Sequence, residues 1–384
     1  MLPHMTRVLH VITDLRIGGA ERSLFYLLQQ STGDGIEHRV ISLLDGYPVG
    51  DWIRELGVDV TSLGLRSVAG GPCALMQIRR IAAEWQPDVL QGWMYHGCVA
   101  STLAAWGLSD RPSLAWNIRH SLTDVKHEKW LTQRVIRTAA RLSGRADSIV
   151  WNSEVSRAQH EAFGFHGQRH AVISNGVDSE HMRPRPADRV AMRAAWGVGN
   201  DAMIVGSVAR FHPMKGHHLL VEAVETLAKS GLDVHLALCG RGCEPGGPAE
   251  AVTRLAPSLA DRVHLLGESS DPASLYSGFD VFVTPSRWGE SFPNALVEAM
   301  SCGLPCVATD LGATTDIVGD AGFVVPPGDA AALAPAIERV LMLPHVERRS
   351  LGKQGRLRVS SRYCLSKMTR DHETLWRTLG ESSP

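Results

Sequence analysis

Short apolar runs that alternate with longer stretches of helical periodicity leave this chain few folds to choose from. Strand-type runs cover 8–13, 38–44, 58–63, 88–92, 113–118 and 148–152, and helical patterns such as 20–30 lie between most of them. A strand, a helix and a second strand in succession make a parallel pair with a crossover, so the pattern predicts a doubly wound α/β domain. It breaks at the Pro- and Arg-rich stretch 182–187 and then restarts, with strand signals at 202–208, 234–239, 263–266, 281–284 and 305–308. At 384 residues the chain is too long for one ordinary core. Two domains are expected, 1–187 and 188–362, followed by a helix over about 363–384. In that helix Tyr363, Leu365, Met368, Leu375 and Trp376 recur at helical spacing.

Composition narrows the function. Thirty-nine Lys and Arg against 40 Asp and Glu give a formal net charge of −1, so no bulk field favours nucleic acid, and no nucleic-acid partner is expected. No 18 consecutive residues are apolar, and residues 1–6 lack the features of a secretory signal. A cytoplasmic location is therefore expected. Seven cysteines are scattered through the chain. The pairs Cys239/Cys243 and Cys302/Cys306 have a spacing that zinc tolerates, but each straddles the end of a strand or helix. Small buried hydrophobes are the expectation, with no metal.

Doubly wound domains bind ligands beyond the carboxyl ends of their strands, where loops run into helix N-termini. Three such loops carry chemistry. The first, Asp14-Leu-Arg-Ile-Gly18-Gly19-Ala20-Glu21, lets backbone pass close to a bound anion; a tight turn with no ligand is the plainer alternative. The second opens the later domain with Arg210 and Lys215 five residues apart, ahead of a helix. Two cations beside a helix N-terminus suit a diphosphate; the plainer alternative is two solvated surface charges. The third follows the strand 281–284 and places Glu290 in a loop and Glu298 eight residues later on a helix. Carboxylates accept hydrogen bonds from hydroxyls, so one can face a sugar and the other a ribose. The amides of 291–296 are expected to open that helix toward phosphate or sugar oxygens.

From Glu290 to Glu298, followed by Ala-Met-Ser-Cys-Gly-Leu-Pro-Cys-Val-Ala-Thr, the chain resembles the two-glutamate signature of retaining GT-B glycosyltransferases. The most similar group is the large bacterial clan of lipopolysaccharide, capsule and mannosyl-lipid transferases. Gly18-Gly19-Ala20-Glu21, Ser174-Asn175-Gly176-Val177-Asp178, Arg210 with Lys215, and Gly312 to Asp316 match in the family's order. The resemblance covers nearly the whole chain and is more specific in its later half. It implies an α/β GT-B fold, with two Rossmann-like domains facing each other across a cleft and the last helix returning to the first domain.

It also implies roles. Glu290 would touch the donor sugar hydroxyls, and Glu298 would hold the ribose. Arg210 and Lys215 would neutralise the departing diphosphate. Gly18 and Gly19 would approach the same phosphates or the sugar from the first domain, and His120 would face the sugar. Gly267, Ser291, Phe292, Asn294 and Leu296 complete the implied donor-binding set. Many relatives carry glycine where Ser291 stands, which puts the donor-sugar preference in question. The implied co-substrate is a nucleotide sugar, UDP-linked first and GDP-linked second, with no cofactor. A glycan, a polyprenyl-lipid-linked molecule or a small molecule is the implied acceptor.

Lys126, Trp130, Arg134, Arg137, Arg141 and Arg145 recur at steps of three and four, which on one helix would form a single cationic stripe. An anionic membrane surface is one expected partner for it; a solvated helix face is the simpler reading. Two other function classes compete. A nicotinamide-dependent dehydrogenase would need G-x-G-x-x-G, which 18–20 does not supply. A non-catalytic nucleotide-sugar sensor would have no need of both Glu290 and Lys215.

Overall fold

The computed structural model describes residues 5–31, 35–65, 70–199 and 201–381. The chain forms two compact units, one running to Gly176 and resuming at Leu365, the other Val177–Cys364.

Unit 1 runs β1 (Thr6–Ile12), α1 (Gly19–Ser31), β2 (Ile36–Ser42), α2 (Val49–Glu55), β3 (Asp59–Ser62), α3 (Gly71–Trp85), β4 (Val89–Trp93), α4 (Met94–Ala105), β5 (Ser113–Ile118), α5 (Trp130–Leu142), β6 (Ser148–Trp151), α6 (Glu154–Phe163) and β7 (His170–Val172). The seven strands pair in parallel in the order β3-β2-β1-β4-β5-β6-β7. Burial explains the strand sequences: β4 and β5 are covered on both faces and are buried along their whole length. The order reverses between β1 and β4, which marks the ligand crevice of such a sheet. There α4 follows β4 without a loop, and Met94 takes φ +57 to make the turn. Gly97 lets α4 press on the end of β1, since a Cβ at that position would collide with the Val11 carbonyl oxygen.

Unit 2 runs α7 (Pro186–Ala195), β8 (Met203–Val208), α8 (His217–Lys229), β9 (Val234–Cys239), α9 (Pro248–Thr253), β10 (Val263–Leu265), α10 (Pro272–Ser277), β11 (Val281–Thr284), α11 (Asn294–Ser301), β12 (Cys306–Thr309), α12 (Thr314–Val318), β13 (Gly322–Val325), α13 (Ala330–Leu341) and α14 (His345–Arg362). Its six strands are also parallel, in the order β10-β9-β8-β11-β12-β13, and reverse between β8 and β11.

The chain then returns to unit 1 as α15 (Leu365–Glu381). Leu365, Met368, Trp376 and Leu379 join Val8, Ile12, Leu24 and Leu28 in one buried cluster. The Trp376 indole donates to Gln91 Oε1, and Ser113 Oγ donates to the Leu379 carbonyl at 2.9 Å.

Three expectations need correction. The units divide after Gly176 and not after residue 187, because 177–199 is tied to the second sheet. Met182 lies in that unit's core, and the fully buried Arg193 of α7 reaches Asp280 at 3.1 Å and the carbonyls of Gly199 and Gly278. Tyr363 likewise packs against Phe292 in unit 2, so the returning helix starts at Leu365. β7 and β13, two strands not anticipated from the sequence, are short sheet edges, half-buried throughout.

Candidate active site

In unit 2 the chemistry gathers at the reversal point. β8 leads through Arg210 and a short 3₁₀ helix, Pro213–Lys215, to Gly216 and α8. Gly216 has φ +67, and a Cβ there would collide with the Pro285 carbonyl oxygen. Only glycine meets both demands, and the close approach lays this loop along the one after β11. The Arg287 N–H donates to the Met214 carbonyl at 2.7 Å across the same seam.

The result is a direct ion pair between Lys215 Nζ and Glu290 Oε1, with Lys215 22% and Glu290 10% exposed along their side chains. Ser286 Oγ donates to the same Glu290 oxygen at 2.8 Å, and Thr309 Oγ1 secures the Ser286 carbonyl at 2.6 Å. From the other side Gly312, at φ +58, fits against the Glu290 and Ser291 carbonyls where a Cβ would collide. The Ala313 N–H donates to the Ser291 carbonyl at 2.9 Å. Glu290 is thus a nearly buried carboxylate held in place from three sides. Arg210 is exposed in the same loop and does not join the pair. Its charge is nevertheless close: burial first, then Arg210 and Lys215, push the His212 imidazole pKa down.

Glu298 stands half-buried on α11, where Tyr276 Oη donates to its Oε2 at 3.0 Å and has the Ala295 carbonyl as a second neighbour at 3.2 Å. Phe292 and Leu296 are buried side chains of the core. The Leu296 N–H donates to the Pro293 carbonyl at 3.1 Å in the first turn of the helix, which starts at Asn294. Gly267 is similarly occupied. Its N–H donates to the Cys243 carbonyl at 3.1 Å, and its carbonyl accepts from the Gly240 N–H at 2.6 Å, so it braces two loops. Ser291 is buried and Asn294 half-buried at the start of α11.

In unit 1, Gly18 and Gly19 sit where α1 begins, after β1. A Cβ on Gly18 would collide with the Glu21 carboxylate, which folds back over the helix start. Burial raises the Glu21 pKa to about 7. His120 follows β5. Its Nδ1 lies 3.2 Å from Tyr95 Oη, its Nε2 lies 3.4 Å from Glu128 Oε1, and Ser156 Oγ donates to its carbonyl at 2.6 Å. Burial lowers the imidazole pKa, against an opposing pull from Glu128.

The cationic stripe is not one helix. Lys126 is in a 3₁₀ turn, Val125–His127, and Arg145 in another, Ser143–Arg145; α5 carries Trp130, Arg134, Arg137 and Arg141 between them. All six side chains are exposed, together with Leu131. Arg134 stacks on Trp130, and Arg145 on Trp106, at 5.2 and 4.5 Å. No described helix is long and apolar enough to cross a membrane. Among the described residues no three His, Cys, Asp or Glu form a metal-type group, and Cys239, Cys243, Cys302 and Cys306 are buried free thiols.

Sequence reasoning missed Tyr276, Ser286, Tyr95, His160 and Glu128. Tyr276, Tyr95 and His160 act on a site residue from a distant element, Ser286 and Glu128 from nearby in the chain, and in neither case does a local pattern announce the contact. Gly216 was the one supporting residue with a signal, directly after Lys215 at a helix start.

Two family models match the chain: "Glycosyltransferase Family 4" over residues 17–181 and "Glycosyl transferases group 1" over 202–342. The phosphatidyl-myo-inositol mannosyltransferase of Mycobacterium leprae is 30% identical over 277 residues, covering 70% of this chain and 68% of that protein. The lipopolysaccharide core biosynthesis mannosyltransferase LpsB of Rhizobium meliloti is 32% identical over 172 residues, 43% of this chain and 48% of its own length. For the first relatives the match spans only 36% and 48% of their length. Among solved structures, Anabaena HepE in complex with UDP superposes with a TM-score of 0.85 at 23% identity, over 97% of this chain and all of that one. The Thermosynechococcus elongatus sucrose-phosphate synthase gives 0.77 at 22%, over 98% and 100%. On its sheets, its matched segments and these relatives, the chain belongs to the glycosyltransferases of group 1 and family 4, with the GT-B fold.

Proposed function

We propose that the protein transfers a hexose-type sugar from a nucleotide sugar to a glycan or lipid-linked acceptor in cell-surface polysaccharide or glycolipid synthesis. UDP is the favoured base and GDP the second. The observation that carries this reading is the braced Lys215–Glu290 pair beside Arg210. Breaking an anomeric bond builds positive charge on the sugar and negative charge on the diphosphate. Fixed cations where the leaving group departs stabilise that charge without reorganising, often the largest catalytic contribution. Lys215 and Arg210 take the diphosphate; Glu290, released from Lys215, receives sugar hydroxyls; Glu298, aligned by Tyr276, receives the ribose. His120 receives a further sugar hydroxyl, and Gly19 lies near the phosphates. No metal takes part, the anomeric configuration is retained, and a leaving-group oxygen assists deprotonation of the acceptor. The protein works at the cytoplasmic side of a membrane, and the cationic surface around α5 is its contact with anionic lipid.

A thermal-shift panel of UDP, GDP, ADP and NAD on the parent and on Lys215→Ala tests the donor assignment. A ligand at about 100 times its Kd adds roughly 2.7 kcal/mol. One nucleoside diphosphate should stabilise the parent and not the variant. Glu290→Ala should keep nucleotide binding, while transfer, followed by proton NMR of the product anomer with EDTA present, falls at least about 100-fold. Stabilisation by NAD alone would overturn the reading.

A further inference from the structure

A chain of ring nitrogens and hydroxyls behind His120 fixes where its proton sits. The chain starts on α6, where His160 Nδ1 lies 2.7 Å from the Ser156 carbonyl oxygen. A carbonyl only accepts, so His160 carries its proton on Nδ1. His160 is fully buried, and burial lowers its pKa to about 4, so its Nε2 is an acceptor at neutral pH. Tyr95 Oη lies 2.7 Å from that nitrogen and must donate to it. Tyr95 is itself buried, and burial holds its phenol protonated. Its single proton is now spent. Toward His120 Nδ1, at 3.2 Å, the Tyr95 oxygen can only accept, so His120 Nδ1 carries the hydrogen.

The outward nitrogen of His120 is therefore a lone pair. It faces Glu128 Oε1 at 3.4 Å, with both side chains a little over a quarter exposed. Two acceptors facing each other lack a hydrogen between them. Either the imidazole takes a proton and pairs with Glu128, or a hydroxyl from outside supplies the hydrogen. Tyr95, Glu128 and His160 are the titratable groups that face this imidazole, from α4, the loop before α5 and α6.

We propose that Tyr95 and His160 are positioning residues that hold His120 as its Nδ1–H tautomer, so that Nε2 accepts a hydrogen bond from a substrate hydroxyl. The functional half of this proposal rests on the transferase reading; the tautomer half does not. The pair also selects chemistry, because an acceptor at Nε2 favours a ligand with a hydroxyl there over one with a carbonyl or ether oxygen. In acid the His120 cation turns to Glu128, and the acceptor is lost.

The test replaces His160 in two ways. In His160→Leu the Tyr95 proton loses its acceptor and turns toward His120 Nδ1, which moves the His120 hydrogen to Nε2. In His160→Gln the amide oxygen still accepts from Tyr95, and the tautomer stays. Long-range proton–nitrogen-15 correlation spectra of the whole protein read which nitrogen is protonated, with the His120 signals assigned by their loss in His120→Gln. Unfolding curves establish that each variant is folded; Tyr95→Phe, which keeps the ring, should give a mixture of tautomers. Transfer by His160→Leu should fall about 10- to 100-fold, the range for losing an orienting partner, with the nucleoside diphosphate thermal shift intact, while His160→Gln stays near the parent. An Nε2–H tautomer in the parent, or an unchanged tautomer in His160→Leu, overturns the proposal whether or not any donor is turned over. A flipped tautomer with undiminished transfer overturns its functional half and leaves the transferase reading standing.

Discussion

Glu21 is a carboxylate in the wrong surroundings for its charge. Burial raises its pKa to about 7 from an ordinary 4.5, with Asp14 adding to the rise. The folded protein therefore holds this proton between about pH 4.5 and 7 while the unfolded chain has released it, so the contribution of Glu21 to stability falls as pH rises through that window and levels off above it. Glu21→Gln removes the dependence. Its melting temperature should exceed the parent's at pH 8, with the gap closing toward pH 5; equal gaps at both pH values would refute the assignment. At this scale the sequence was informative wherever chemistry lay in the residue type. Glu290, Glu298 and Lys215 stood out by charge and by position after strands. Tyr276 and Ser286, which aim the two glutamates, did not, because an interior tyrosine or a loop serine looks the same with or without a carboxylate above it.

At the scale of elements, α5 shows both what spacing reveals and what it conceals. Steps of three and four placed Arg134, Arg137 and Arg141 on one exposed helix face, with Trp130 and Leu131 at its start. The same steps continued through Lys126 and Arg145, which lie in 3₁₀ turns. Gly144 packs 2.8 Å, by its would-be Cβ, from His166 Nε2, a tertiary contact that periodicity cannot register. A surface of aromatic and cationic side chains binds anionic headgroups at about 1 kcal/mol per cation. Charge reversal at Arg134, Arg137 and Arg141 together should abolish sedimentation with phosphatidylglycerol vesicles at low salt and leave transfer to a soluble acceptor unaltered. Equal sedimentation of parent and variant would remove the membrane from the account.

For the molecule as a whole, the alternating pattern predicted both sheets, and the boundary came out eleven residues late because the Pro-Arg stretch resembled a linker. It is held instead by Arg193 on Asp280, a buried contact between α7 and the start of β11. Buried histidines also make the fold sensitive to acid. Unit 1 buries His10 and His38 in a chain in which Trp93 Nε1 donates to His10 Nδ1 at 3.1 Å, His10 meets His38 at 3.1 Å, and His38 meets Ser31 Oγ at 2.8 Å; His372 is buried apart from that chain, its Nε2 3.2 Å from Asn117 Nδ2. Burial pushes the His38 and His372 pKa values down to about 3, and Arg119 lowers that of His372 further. The unfolded chain binds these protons from about pH 6.5 downward, so the stability the neutral rings provide is complete above that pH and is lost toward pH 3. Calorimetry should show a melting transition of unit 1 that drops between pH 6.5 and 4.5, following Trp93 and Trp376 fluorescence. A transition flat across that range would refute it.

The return of α15 has a consequence for how the protein is made. Unit 1 lacks Trp376, Met368 and Leu379 until synthesis has passed through the whole of unit 2. On the ribosome the segment made first thus waits with an open apolar face, while the one made second can complete its own core first. Nascent unit 1 is the expected client of holding chaperones, and a nonsense mutation just before residue 365 would leave a folded unit 2 attached to a unit 1 that never closes.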